Sequence, residues 1–209
     1  MKLISYSFNH GDSIPEKYAF CVPSEKEKVV FGKNVSPHLK WIDFPKETKS
    51  FVVLCIDKDV PSKADDVNQE GKVIPISLKR VDFFHWILID IPPSITELPE
   101  GADSDAVVTK GKREQKTSFG IRGINDYTNF FGNHAELGGD YYGYDGPCPP
   151  WNDELIHHYY FKVYALDVPS LNLSGRFFGN DVLNAMEGHV LDYSEIMGTY
   201  TLNPKFLKK

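Results

Sequence analysis

The sequence of 209 residues is poor in cysteine and has no long apolar run. Its three cysteines, Cys21, Cys55 and Cys148, form an odd and sparse set, which is a weak basis for a disulfide framework, and no CxxC spacing indicates zinc. No stretch approaches the ~20 apolar residues of a membrane span, and the first residues lack the apolar segment of a signal peptide. We therefore expect a soluble cytoplasmic protein with reduced thiols and no integral membrane segment.

The sequence also lacks an excess of positive charge. Its formal net charge of −6 argues against a protein that mainly binds the phosphate backbone of nucleic acid. A small local anion site stays compatible with this charge, because a few donors outweigh the global charge at short range. Hydrophobic residues at 41% and charged residues at 25% are typical of a globular chain. The length fits one domain over residues 1–209.

Helical signals are few, whereas aromatic residues and turn formers are plentiful. Strands are predicted at 51–56, 83–91, 159–166 and 195–202, with weaker candidates at 2–7, 29–31 and 39–41. A helix is predicted at 180–187, with Asn180 or Asp181 as its cap and Gly188 at its end, and a second short helix at 94–98. Many strands with one late helix indicate an antiparallel or mixed β-sandwich rather than alternating βαβ units.

Two polar clusters lie at or within the strongest strands. Asp57 and Asp59 follow the strand at 51–56, and their i, i+2 spacing lets both carboxylates point to one side. They could anchor a ligand or an imidazole, although an Asp-rich turn is the commoner meaning of such a pair. His85 interrupts an apolar run, where alternation places it on one face with Phe83 and Ile87. A buried histidine at this position needs a polar partner.

A third cluster follows the rigid segment Tyr144-Asp-Gly-Pro-Cys-Pro-Pro150. Gly-Pro and Pro-Pro pairs stiffen a loop and can hold backbone N–H groups toward an anion. His157 and His158 point to opposite faces of an extended chain, so His157 shares its face with Tyr159. An imidazole, a phenol and a rigid turn together favour a small anion site, and the alternative is a surface loop that enters a strand.

The combination and order of these segments resembles the phosphatidylethanolamine-binding protein family, in its bacterial and archaeal Raf-kinase-inhibitor-like branch. The similar stretches are Asn34-Val-Ser-Pro-His-Leu-Lys-Trp41, Asp57-Lys-Asp-Val-Pro-Ser62, Phe84-His-Trp-Ile-Leu-Ile-Asp-Ile-Pro92, Tyr144–Pro150 with His157-His158-Tyr159, and Gly188-His-Val-Leu191 with Gly198-Thr-Tyr200. The resemblance runs from about Phe8 to Leu202. Lys58 and His158 stand where the family usually has Pro and Arg, and the segments 71–82 and 132–140 are longer than is common in that branch.

The resemblance implies a mainly β fold, a phosphatidylethanolamine-binding-protein-like β-sandwich with Greek-key-type connections and one or two short helices. It also implies a small pocket for phosphate or a phosphorylated head group, in which His85, His157 and Tyr159 donate hydrogen bonds. Asp57 would fix the tautomer of an imidazole or bind an ammonium group directly. The implied ligand-binding residues are Asp57, Asp59, His85, Gly146, Pro147, His157 and Tyr159.

Three classes of function stay open at this point. The first, which we expect, is a binding or regulatory protein with a small phosphate-bearing ligand and no catalytic residue, cofactor or metal; inhibition of a kinase or another enzyme, a protein target and a homodimer are left open. The second is a hydrolase that uses His85, His157 and Asp57, for which no nucleophile motif is visible. The third is a metal protein that uses Asp153, Glu154, His157 and His158, for which no HExxH-like motif is present.

Overall fold

The computed structural model describes residues 1–113 and 115–207, and these residues form ten strands and two α-helices. The strands are β1 Lys2–Ile4, β2 Cys21–Ser24, β3 Lys28–Phe31, β4 Leu39–Ile42, β5 Ser50–Pro61, β6 Arg80–Ile91, β7 Glu97–Leu98, β8 Ile121–Arg122, β9 His157–Leu166 and β10 Val190–Tyr200. The helices are α1 Tyr127–Phe131 and α2 Gly179–Met186, and a 3-10 turn spans Glu16–Tyr18. No helix of the described residues has the length and apolar character needed to cross a membrane.

Five strands form one antiparallel sheet in the order β10-β9-β5-β6-β8. After β8 the chain returns past β6 and places β9 beside β5, so four strands have the 4-1-2-3 order of a Greek key. A three-stranded sheet, β1-β4-β7, and a two-stranded sheet, β2-β3, complete the strands. The expected mainly β sandwich with Greek-key-type connections is therefore confirmed.

Strand β5 is buried on both faces, as its continuous apolar run predicts. Phe51, Val53 and Cys55 belong to the core that includes the small β1-β4-β7 sheet. Val52 and Leu54 belong to a second core, which is covered by α2. Because the face with Phe51 continues along the strand, Asp57 lies at the end of the first core, and that position brings its carboxylate next to β6 and β9.

The four strong strand predictions and the helix at 180–187 are confirmed, with shifted ends. The cap of α2 differs from expectation: the helix follows Phe178, and the Asp181 carboxylate accepts a hydrogen bond from the Phe178 backbone N–H at 2.8 Å. The helix predicted at 94–98 is wrong. Leu98 pairs with Leu39 in β7, because hydrogen bonding to β4 overrides a weak local helical preference.

The expectation of reduced thiols is wrong for two of the three cysteines. Cys21 and Cys148 form a disulfide across 127 residues of sequence, while Cys55 is a free, buried thiol. The fold brings the pair together because the backbone N–H groups of Phe20 and Cys21 both donate to the Pro147 carbonyl, at 3.0 and 3.1 Å. That pairing of backbones is a tertiary contact, which cysteine count and spacing do not reveal.

A β-bulge in β6 changes the face on which His85 lies. Cys55 pairs with Trp86 but Ile56 pairs with Phe84, so His85 is an extra residue in the ladder. The regular alternation that places His85 on one face with Ile87 is therefore wrong, whereas the shared face with Phe83 is confirmed. His85 lies on the side of Phe83 and Trp86, toward the first core.

Candidate ligand-binding cleft

A cleft of about 410 Å³ opens where β5, β6 and β9 lie side by side. Asp57, His85, His157 and Tyr159 all line it. They meet because Asp57 is paired with Tyr159 on one side and with Phe83 on the other, and because His157 and Tyr159 share a face of β9. Three neighbouring strands thus carry four polar side chains to one point.

His157 lies between two carboxylates. Its Nδ1–H donates to Asp57 Oδ2 at 2.7 Å, and its Nε2–H donates to Asp153 Oδ2 at 3.2 Å. Asp153 is held in turn by Arg80, whose Nη1 and Nη2 reach its two oxygens at 2.5 and 3.0 Å. We call Arg80, Asp153, His157 and Asp57 the ion network. Both ring nitrogens of His157 are engaged within it, which differs from the expectation that His157 donates to a ligand.

The ion network keeps His157 protonated. Burial by itself lowers the pKa of the imidazole, but the charge of Asp57 and the hydrogen bonds to Asp153 and Asp57 raise that pKa to about 9. Burial also opposes ionisation of Asp57, yet the His157 charge brings the pKa of that carboxyl below its ordinary value. The pKa of Asp153 is lowered as well, against the effect of burial, by His157 and Arg80. Two cations and two carboxylates make the network neutral overall.

The two other members of the network were not found as a site by sequence analysis. Arg80 has no distinguishing pattern around it, and the sequence suggests Asp153 only as a metal ligand. Among the described residues no group of three or more His, Cys, Asp or Glu side chains is placed to hold a metal ion. The i, i+4 spacing of Asp153 and His157 is the sequence feature that could have revealed this contact, and in the structure it corresponds to an ion pair.

His85 has a different environment in the same cleft. Its Nδ1–H donates to the Asp145 carbonyl oxygen at 2.8 Å, and the Asp145 N–H donates back to the His85 carbonyl at 2.9 Å. The side chain is almost fully buried, and burial lowers the pKa of its imidazole although Asp57 and Asp145 act to raise it. His85 is therefore a neutral ring near pH 7, and its Nε2 makes no hydrogen bond to a described residue.

Tyr159 supplies the one cleft hydroxyl that lacks a partner within the described chain. Its side chain is fully buried, and its Oη makes no hydrogen bond of ordinary geometry to a described residue. The Asp57 carboxylate faces this hydroxyl and, together with burial, raises the pKa of the phenol. The neighbouring phenol of Tyr127 is satisfied, because its Oη donates to the Gly146 carbonyl at 2.8 Å. Buried hydroxyls without a partner are uncommon and cost about 1–3 kcal/mol. Tyr159 is thus the cleft side chain whose hydroxyl has no satisfied hydrogen bond among the described residues.

Asp59, Gly146 and Pro147 lie close to the cleft but do not line it. Asp59 Oδ2 accepts from both the backbone N–H and Nδ1 of His158, at 2.8 and 2.7 Å. The register of β5 shifts after Asp57, so Asp57 and Asp59 bind histidines on opposite faces of β9 instead of pointing to one side. The Gly146 N–H donates to Asn34 Oδ1 at 2.8 Å and is not available to an anion.

The remaining walls are largely apolar. Cys148, Pro149 and Pro150 form one side, and further lining side chains include Val60, Pro61, Phe83, Tyr127 and Phe130. Asp82 and Asp126 contribute carboxyl groups, and the described lining contains no lysine or arginine. Asp126 accepts from the Phe84 N–H at 2.7 Å, and burial raises the pKa of its carboxyl. The cleft therefore offers few, specific polar contacts within apolar walls, as small-ligand sites do.

The Greek-key sandwich and this cleft together define a β-sandwich protein with a candidate site for a small ligand. The chain belongs to the phosphatidylethanolamine-binding protein family, which it matches over residues 4–201. It is 32% identical over 200 residues to a UPF0098 protein of Methanothermobacter thermautotrophicus, covering 96% of this chain and 98% of that one. It is 30% identical over 187 residues to the UPF0098 protein YbhB of Escherichia coli, covering 87% and 90%.

Two solved structures are similar in fold. The first is a protein of Chlamydia trachomatis, CT736, described as a putative phosphatidylethanolamine-binding protein homolog, with a TM-score of 0.63, 31% identity and 95% coverage of both chains. The second is YbcL of Escherichia coli, described as a new member of the mammalian family, with a TM-score of 0.68, 25% identity, and coverage of 96% and 97%. The resemblance to the bacterial and archaeal branch is therefore confirmed, and family membership supports a binding role.

Proposed function

We propose that the cleft binds a small phosphate-bearing anion, either free or as a phosphorylated head group, and that the protein acts by binding and not by turnover. The observation that carries this proposal is the Tyr159 hydroxyl, which is buried at the cleft without a partner. An oxygen of the ligand would accept its hydrogen bond. The gain is larger than for an exposed hydroxyl, because the unsatisfied group has already lost its contact with water.

His157 does not contact the anion in this proposal. Its imidazolium is tied to Asp57 and Asp153 in a network that is neutral overall, so it offers the cleft neither a free N–H nor surplus positive charge. The direct contacts in this proposal come from Tyr159 and His85. Asp57 has the role of holding His157, and its oxygens are engaged by His157 and by the Asp59 N–H at 2.8 Å.

The hydrolase alternative has less support. Cys21 and Cys148 are bonded to each other, and burial raises the pKa of the Cys55 thiol well above its ordinary value. None of the three cysteines therefore offers a thiolate nucleophile. His157 is an acid with a pKa of about 9 whose protons both point at carboxylates, which is a poor arrangement for a general base near pH 7.

The more specific expectations about partners and cellular location rest on the sequence alone and stay proposals. Inhibition of a kinase or another enzyme, a protein target, a homodimer and the absence of nucleic acid as a ligand belong to this group. The cytoplasmic location is weakened by the Cys21–Cys148 disulfide, because such bonds are rare in reducing compartments.

Titration calorimetry with inorganic phosphate tests the proposed function. We expect binding by the wild type and a loss of about tenfold in affinity for Tyr159→Phe, which removes only the hydroxyl. Tyr160→Phe is the matched control, since Tyr160 is the adjacent tyrosine of β9 and does not line the cleft. No binding of phosphate by the wild type, or equal loss in both variants, contradicts the proposal.

A further inference from the structure

The tautomer of His85 is determined by the backbone. A carbonyl oxygen only accepts hydrogen bonds, so the contact of Nδ1 with the Asp145 carbonyl requires a proton on Nδ1. In a neutral imidazole the other nitrogen then carries a lone pair. Nε2 of His85 is therefore a hydrogen-bond acceptor, unless the ring takes up a second proton.

The groups around His85 do not supply that second proton. Charged and titratable side chains face the ring from β5, β9, α1 and the loop between α1 and β9: they are Asp57, His157, Tyr159, Tyr127 and Asp145. Both carboxylates among them are already compensated. Asp57 is paired with His157, and Asp145 receives Lys112 Nζ at 3.1 Å and the amides of Asn34 and Asn125 at 2.7 and 2.9 Å.

The cleft thus presents one acceptor and one donor close together. The rings of His85 and Tyr159 meet edge to face at a centroid distance of 5.2 Å. The Tyr159 hydroxyl is a donor that has no acceptor at ordinary hydrogen-bond geometry among the described residues. A ligand that satisfies both must carry a hydroxyl as well as an acceptor oxygen. The neutral ion network and the absence of lysine and arginine from the described lining give no surplus positive charge for a dianion.

We propose that His85 is the specificity-determining residue of this cleft, and that it selects singly charged phosphate or phosphonate esters whose P–OH group donates to Nε2. This inference rests on the proposed function, because it names the form of anion that the same site takes. A sulfate ester has the same shape and charge as such a ligand but has no hydroxyl. It would set an oxygen lone pair against the lone pair of Nε2, or require protonation of a buried ring.

Methyl phosphate and methyl sulfate are the matched probes, compared by calorimetry at pH 6. We expect methyl phosphate to bind at least about tenfold more tightly, because methyl sulfate pairs with Nε2 only after the buried ring takes up a proton. As the pH is lowered below 6 the difference should narrow, since protonation turns Nε2 into a donor that suits methyl sulfate. A merely structural His85 would not produce this dependence on pH.

Two variants sharpen the test. In His85→Gln the side-chain amide offers both a donor and an acceptor, so the two probes should bind within about threefold of each other at every pH. Tyr159→Phe should weaken both probes by similar factors and keep their ratio. If His85→Gln does not fold, the wild type still decides: binding of methyl sulfate at pH 6 should take up close to one proton, measured in two buffers of different ionisation enthalpy.

Equal affinity of the wild type for the two probes at pH 6 overturns the inference and leaves the proposed function intact. A difference that persists unchanged in His85→Gln also overturns it. No binding of either probe at any pH contradicts the proposed function itself, and the role of His85 fails with it.

Discussion

Two histidines line the same cleft, and their charge states are opposite. His157 on β9 is protonated at pH 7, whereas His85 on β6 is neutral. Both side chains are almost completely buried, so burial does not explain the difference. His157 meets two carboxylates, and His85 meets a backbone carbonyl, which orients the ring without adding a full charge. The partners of a buried imidazole, and not its depth, decide its proton count.

The largest effect on this difference between the two histidines is expected when His157 loses one of its carboxylate partners. We expect Asp57→Asn to lower the free energy of unfolding by about 3–5 kcal/mol, because it leaves a buried imidazolium with one partner fewer. Asp59→Asn is the matched control: it breaks the bond to the partly exposed His158 and should cost under about 1 kcal/mol. Urea denaturation of both variants measures the difference. Equal losses in the free energy of unfolding would mean that Asp57 does not stabilise a buried charge on His157.

Removing the disulfide tests the loop that holds His85 through the Asp145 carbonyl. The Cys21–Cys148 bond anchors the loop that carries the Asp145 carbonyl, and double substitution to alanine should cost about 2–5 kcal/mol. The His157 pKa, followed by NMR, should stay near its wild-type value because Asp57 lies on β5, outside this loop. Asp153 belongs to the loop but is also held by Arg80 of β6. The wild type treated with a dithiol reductant serves as the comparison. An unchanged urea midpoint after reduction would show that the bond contributes nothing to stability.

The dependence of stability on pH separates the two histidines. His157 has a folded pKa of about 9 against 6.5 in an unfolded chain, so its contribution of about 3 kcal/mol is complete below pH 6.5 and is lost as pH rises to about 9. His85 has the opposite sign, because its lowered pKa costs stability only as pH falls below 6.5. Urea midpoints from pH 5 to 9.5 should pass through a maximum near neutrality. A steady rise toward pH 9 would contradict the assignment of His157.

The smallest expected effect comes from weakening the contact between Arg80 and Asp153 at the end of the ion network. Arg80→Lys retains the charge but replaces the bidentate contact with Asp153 by a single bond, which should cost about 1–2 kcal/mol. Lys79→Arg, at the exposed neighbouring position, is the control and should be close to neutral. Thermal unfolding detects the difference. A loss equal to that of the control would show that Arg80 acts only through its charge.

Four of the polar residues that line the cleft, Asp57, His85, His157 and Tyr159, can be recognised in the sequence because each is a chemical exception in its own segment. A histidine in an apolar strand, a carboxylate after a buried strand, and an imidazole and phenol at i, i+2 are visible without a structure. Arg80 and Asp153 were missed as partners because each is ordinary in its surroundings. Their meaning depends on the distance between them, which is set by the return of β9 beside β5.

The amino-acid sequence by itself determined the mainly β class, the strong strands and the four cleft residues, because apolar runs, turn formers and isolated polar groups act over a few neighbours. Only the tertiary structure decided the bulge that turns His85 toward the cleft, the pairing of Cys21 with Cys148, and the charge of each histidine. These features depend on contacts between segments that are remote in the chain. The protonation state of an imidazole depends on which oxygen the fold places beside it, and no local sequence pattern specifies that oxygen.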